Sequence, residues 1–431
     1  MKSARLHRSL LASALAVVTA ACGNSSSDKD AEPVIPEAAR SQLARNTSPQ
    51  VLPADAEALV AGNTAFGADL LKRVGGTENA MISPYSISLA IAMTWAGART
   101  QTEQAIAQTM HFSLPQERLH PAINQLDLAL AGRGQNAQGK DGKPFRLKIA
   151  NAAWGERTFD FVPSYLDTLA TSYGAGVNLM DVLQAAEAAR VTINDWVAYQ
   201  TEDRIQDLLP QGSVTSATRL VLTNAVYFNA AWKTKFEQNA TRDAPFTLAD
   251  GNPVSVSTMF GEVAGRYAEG ADFIAAELPY DGSEVAMTLV MPKAVSLAAF
   301  EAGLDGARLQ AIVGALADES LLIQLPKFQF EGKASLAEAL SALGMEVAFS
   351  DAADFSGIHA AGGLSISDVI HQTFVAVDEA GTEAAAATGV VVGTTSVPVG
   401  RQVQVDRPFL FLIRDVQTGA VLFLGHVYDP R

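Results

Sequence analysis

Apolar and polar positions along the chain follow two periods, and they mark its elements in order. Leu59, Val60, Phe66, Leu70, Leu71 and Val74 fall largely at helical spacing before Gly75-Gly76, which predicts an amphipathic helix with a glycine stop. Residues 79–98 are apolar nearly all round, so the helix expected there is a buried one. Thr100 and Glu103 have the spacing of a capping box for the next helix. From Phe145 the period changes to two, the mark of a half-buried strand. Helical stretches follow Pro163 and cover 184–201, and the apolar, β-branched run over 220–236 reads as a central strand. Strands are then expected over 273–278 and 284–291, a helical stretch over 297–316, a strand over 321–330 and a helix over 335–343 that stops at Gly344. A long strand over 367–378 and an apolar hairpin over 407–427, turning at Gln417-Thr418-Gly419, close the chain.

The segment between that last strand and the hairpin does not read as an ordinary loop. Loops are normally polar with turn formers at defined places. Here Gly381-Thr382-Glu383 leads into four alanines, Ala384, Ala385, Ala386 and Ala387, and then into Val390, Val391 and Val392, residues that suit a pleated sheet. Alternation places Thr382, Ala384, Ala386, Val390 and Val392 on one face, able to be buried. Glu383 lies on the other face, which should meet water. The segment reads as a strand kept outside its sheet, and a low-complexity linker is the plainer alternative.

Charge and cysteine usage narrow the chemistry. The 431 residues carry a formal net charge of −15, which argues against nucleic acid or a polyanion such as heparin as an obligatory partner. A single cysteine, Cys22, excludes disulfides within the chain and metal sites resting on thiolates. Residues 1–22 form a signal peptide: Lys2, Arg5 and Arg8 precede a short apolar run, and small residues stand before Cys22. That ending is similar to a lipobox, so Cys22 is the expected lipidation site and the expected contact with a membrane. Residues 23–54, rich in Ser, Pro and charge, read as a flexible tether, and 55–431 as one globular domain. Gly134 to Lys140 spells the start of a phosphate-binding loop, but Asp141 replaces the required Ser or Thr, so it reads as a polar loop. No nucleophile or metal motif occurs, so neither a cofactor nor an enzyme is expected.

The sequence resembles the serpins. The resemblance rests on the hinge Glu379-Ala-Gly381-Thr382-Glu383-Ala-Ala-Ala-Ala387, on Asn79-Ala-Met-Ile-Ser83-Pro-Tyr-Ser86-Ile, and on Thr223-Asn224-Ala-Val-Tyr-Phe-Asn-Ala-Ala-Trp232, and it covers about 56–430. It implies an α+β fold of three β-sheets, about eight or nine helices and an exposed reactive-centre loop. It also implies a helix lying across the main sheet at 184–201. His371 taken alone reads as a satisfied core histidine. The resemblance makes it a shutter residue with Asn224, Ser83 and Ser86, and sets Glu379 and Lys327 as an ion pair beside Trp232 at the top of the sheet. The implied activity is inhibition of a serine protease by a suicide reaction: cleavage of the loop, then its insertion into the main sheet with the acyl-enzyme attached. Counting from the hinge glycine puts the reactive bond at Thr395-Ser396. A small β-branched residue there points to elastase-like or subtilisin-like targets, with papain-like cysteine proteases second. A non-inhibitory binding protein is the rival reading. An exported monomer, at the cell surface, in the periplasm or secreted, is expected.

Overall fold

In the computed structural model the described residues are Pro33, 37–383 and 400–431. They contain nine α-helices and two hydrogen-bonded sheets. The all-apolar stretch forms the helix Pro84–Trp95 with every residue buried, as its pattern requires. It is capped by Ser83, whose side chain accepts from the Ser86 N–H. Around it packs the first helix, Pro53–Val74, which buries Leu59, Phe66, Leu70 and Leu71.

The main sheet runs Ala38–Ala39, Val177–Met180, Arg146–Glu156, Leu220–Ala231, Gly381–Thr382, Val369–Asp378, Phe328–Ser335. The two central strands, Leu220–Ala231 and Val369–Asp378, are parallel to each other and pair directly over Val369–Thr373. The second sheet has nine strands, with the hairpin Phe409–Asp415 and Val421–Val427 near one end, between Val285–Pro292 and the edge strand Ala80–Ile82. The expected second and third sheets are continuous here. The 17-residue strand Pro253–Glu269 pairs with Arg242–Thr247 at one end, Ala317–Pro326 along its length and Phe273–Pro279 at the other. The loop's far end belongs to this sheet: Arg401–Gln404 lies parallel to Leu321–Gln324.

A helix over Val182–Gln200 crosses the outer face of the main sheet. Its Ala189, Ile193 and Val197, with Leu208 and Leu209 beyond it, pack on Trp154, Val221, Ala225 and Ile370. Val221 and Ile370 stand on the two central strands, so this apolar layer bridges the seam between them.

Several expectations change. The tether does not extend to residue 54. Ala38–Ala39 adds to the edge of the main sheet, and Arg45 pairs with Asp127 at 2.5 Å, because an open sheet edge supplies backbone partners to almost any sequence. The capping box does not form: Thr100 has φ +52° and turns its hydroxyl to Asp354 at 3.1 Å, leaving Arg99 as the cap. The stretch 297–316 is two helices, Leu297–Ala302 and Gly306–Gly314, broken at Gly303. The helix expected over 335–343 is shorter, Ala337–Leu340, followed by a wider turn that ends where Gly344 takes φ +117°.

Candidate functional site

The site lies where the chain leaves the strand Val369–Asp378 and doubles back. Gly381 and Thr382 are threaded between the two central strands, with Thr382 opposite Val377 on one side and Ala230 on the other. Only glycine fits the first position. Gly381 has φ +153°, and a Cβ there would collide with the Ala230 carbonyl oxygen. Thr382 is buried, and its Oγ1 shares a hydrogen bond of 2.6 Å with the Tyr280 hydroxyl. Burial holds that phenol well above its usual range.

Glu383 departs from expectation. Alternation does place it on the face opposite Thr382, but it is 1 % exposed rather than in water. Its carboxylate accepts from the Tyr227 hydroxyl and the Asn229 amide and pairs with Arg204. Its own N–H donates to the Ala376 carbonyl at 2.5 Å, with φ at +83°. Two donors and a cation make up for the water this carboxylate gives up. Arg204, from the turn after the crossing helix, closes over it while remaining 42 % exposed itself.

Above the hinge, the sequence-derived residues come together. Lys327 Nζ sits 2.9 Å from Glu379 Oε2, and the Thr241 hydroxyl donates to Oε1 at 2.8 Å. Burial acts to raise the Glu379 carboxyl, but Lys327 and these hydrogen bonds hold it below the ordinary range. The Trp232 indole donates to the Asp378 carbonyl at 2.8 Å and stacks on Tyr280 with centroids 4.6 Å apart. Lys140, read from sequence as part of a polar loop, is 1 % exposed and reaches Asp378 Oδ2 at 2.6 Å. Its ammonium is pushed down by burial, against the pull of Asp378. The loop folds inward because Asn229 Oδ1 accepts from the Lys140 N–H at 2.7 Å.

Lower on the seam, Asn224 and His371 are register partners on the two central strands, and Asn151 is the partner of Asn224 on its other side. Ser83 N–H donates to His371 Nε2 at 3.0 Å, so the ring carries its proton on Nδ1, which faces Asn224 Oδ1. The Asn224 amide donates to Ser86 Oγ at 2.6 Å, and Ser86 Oγ to Asn151 Oδ1 at 2.9 Å. Burial lowers the His371 ring to about 3, against a smaller opposing effect of Asn224. It is neutral at any ordinary pH.

The structure therefore assembles Ser83, Ser86, Asn224 and His371 into one cluster, and Glu379, Lys327 and Trp232 into another directly above it. Ala384, Ala385, Ala386, Ala387, Thr395, Ser396 and Cys22 lie outside the described residues. Sequence reasoning missed Asn151, Arg204, Tyr227, Asn229, Tyr280 and the burial of Lys140. Asn151 and Asn229 left a signal, as amides among the apolar positions of their strands.

Comparison with known proteins gives this geometry its family. Residues 61–430 match the family described as Serpin (serine protease inhibitor). The leukocyte elastase inhibitor of Bos taurus is 37% identical over 388 residues, covering 87% of this chain and all of the relative. The native thermophilic serpin tengpin has TM-score 0.80 at 28% identity, covering 91% of this chain and 100% of that one. Uncleaved ovalbumin has TM-score 0.76 at 28% identity, covering 86% and 100%. The expectation of no enzyme, drawn from missing motifs, is corrected by these matches: they place the chain among inhibitors of proteases, a positive class that missing motifs do not define. With the family pattern matched from end to end of the globular part, the chain belongs to the serpin family of serine protease inhibitors.

Proposed function

We propose that the chain is a single-use trap for a serine protease. The protease's serine attacks the Thr395 carbonyl, the Ser396 amine leaves with a proton, and the Thr395 side stays on the enzyme as an ester. The freed segment then continues from Thr382 as a new strand between Leu220–Ala231 and Val369–Asp378 before water reaches that ester. One observation carries the reading: Gly381 and Thr382 are already strand-paired on both sides, while the same two strands pair with each other immediately below. Extending the thread exchanges one ladder for two. About a dozen added hydrogen bonds at ~0.5–1.5 kcal/mol each sum to ~10 kcal/mol. That is comparable to the whole stability of an ordinary domain, ~5–15 kcal/mol, and is enough to distort an attached enzyme.

Elastase-like or subtilisin-like enzymes are the proposed targets. Thr395 offers no cation to a trypsin-like pocket, and the cattle relative is named for inhibiting an elastase. The test is incubation with elastase and with subtilisin, followed by denaturing electrophoresis and mapping of the cut. A denaturant-resistant adduct cut at Thr395-Ser396 is expected, and cleavage that releases active enzyme refutes the trap. We also propose export with a lipid on Cys22. Labelled fatty acid should be incorporated by the wild type and not by Cys22→Ser.

A further inference from the structure

Residues 37–46 form a strap along the edge of the main sheet, and its ties fix where the N-terminal segment joins the body. Ala38 pairs with Asn178 and Ala39 with Val177, and the Leu179 N–H donates to the Glu37 carbonyl at 2.9 Å. Farther on, the Asn46 N–H donates to the Thr171 carbonyl at 2.9 Å, and the Asn124 amide donates to the Asn46 carbonyl at 2.7 Å. Gly176 passes so close that a Cβ there would lie 2.5 Å from the Ala39 carbonyl oxygen. The strap is therefore part of the fold, and the free reach of the N-terminal segment ends at Glu37.

Strand register gives the level of that junction. Leu179 lies beside Gly155, and Gly155 opposite Leu220, the first residue of the central strand Leu220–Ala231. The hinge stands at the other end of that strand, where Gly381 pairs with Ala231. At ~3.3 Å per residue the two levels are ~36 Å apart. Val177–Met180 runs toward the Leu220 level and the strap runs antiparallel to it, so Glu37 is the strap's lowest point, at the foot of the sheet. The same ladders give the level that an inserted loop reaches. Continued from Thr382, the register against Ala230 and the register against Val377 both bring residue 390 between Leu222 and Val369, which pair with each other in this structure. Thr395 then lies past Leu220, at the foot as well.

We infer that the foot of the body is the face turned to the membrane that holds Cys22, and that residues 23–36 are a spacer that admits the trapped protease between the two. That role rests on the trapping and lipidation proposed above. Fourteen residues stand between Cys22 and Glu37, and a chain of that length spans at most about 50 Å. A protease of about 250 residues is about 45 Å across. The reach is thus sufficient for one enzyme and no more. The hinge end, with the bond to be cut, points away from the membrane, where a protease meets it freely. Insertion carries the bound enzyme to the opposite end, into the gap that the spacer spans. With a shorter spacer the arriving enzyme and the membrane compete for the same space, insertion stalls, and water releases the ester first.

The test couples the chain from Cys22 onward, through that single thiol, to phosphatidylcholine vesicles carrying a maleimide lipid, so that natural lipidation is not needed. A second chain lacks residues 24–33, which cuts the reach to about 17 Å. Each is incubated with elastase, free in solution and on vesicles. In solution the two chains should form adduct equally. On vesicles the full spacer should keep most of its adduct, and the short one should lose at least fivefold and release active enzyme. Adding Gly176→Val to the short chain unseats the strap, lengthens the reach and should restore adduct on vesicles. Equal adduct from both chains on vesicles overturns the spacer. The rate of loop cutting, which needs no trapping, should match that in solution for both chains, and slower cutting of the short chain on vesicles overturns the orientation. If neither chain forms adduct in solution, the trap and the spacer fall together, while the cutting rates still decide the orientation.

Discussion

Replacing Thr382 with arginine tests the central claim at its first inserted position. The side chain there is 2 % exposed and bonded to Tyr280, between Ala230 and Val377. Arginine removes the bond and leaves a buried phenol unpaired, at ~1–3 kcal/mol. It also drives a cation into an apolar slot, at several kcal/mol more. A total of ~4 kcal/mol expels the hinge from its resting place between the strands and is met again when the strand enters, which slows insertion about a thousandfold. Hydrolysis of the ester then precedes trapping, and the variant becomes a substrate. The assay is the fraction of protein found as denaturant-resistant adduct against the fraction cleaved and released, beside Thr382→Val, which keeps the shape and should retain most of the adduct. An arginine variant that traps as efficiently as the wild type refutes the claim that insertion starts at this residue.

Other outcomes follow from the same geometry. Cutting the loop should raise the melting temperature by about 20 °C or more, given ~10 kcal/mol of added ladder and about 2 °C per kcal/mol in a large domain, as read by calorimetry. Gly381→Ala, which sets a Cβ against the Ala230 carbonyl at φ +153°, should expel the hinge; faster amide exchange over 376–383 checks this. His371 stays neutral in the fold to about pH 3 but binds a proton near 6.5 when unfolded, so between those values the unfolded state holds more protons. Its contribution is complete above pH 6.5 and is lost as pH falls toward 3, on the order of 5 kcal/mol in all; denaturant midpoints of wild type minus His371→Asn should trace that curve. Arg414→Ala removes two bonds to Glu277, of 2.7 and 2.9 Å, and leaves it Arg266 at 3.2 Å and the Thr288 hydroxyl at 2.7 Å, so it should cost ~1.5–3 kcal/mol of stability by denaturant unfolding.

The elements of the fold, and the clusters around His371 and Glu379, were legible because local period and motif carry them. The clamp on Glu383 was not. Its partners Arg204, Tyr227 and Asn229 stand some 150 to 180 residues away along the chain, and nothing local distinguishes a carboxylate that will be covered from one that will be wet. Lys140 was misread for the same reason, since its partners Asp378 and Asn229 come from distant strands. The docking of Arg45 near Asp127 and Asn124 was hidden by a composition that also suits a tether.

The position of the hairpin Phe409–Asp415 and Val421–Val427 bears on biosynthesis. These late-made residues supply two inner strands of the nine-stranded sheet, bracketed by strands made long before them. The nascent polypeptide thus holds two flanking strands that await the pair between them, and termination before residue 409 removes that pair. A sheet built this way closes only once its late strands are made, so delivery of the hairpin becomes a condition of maturation.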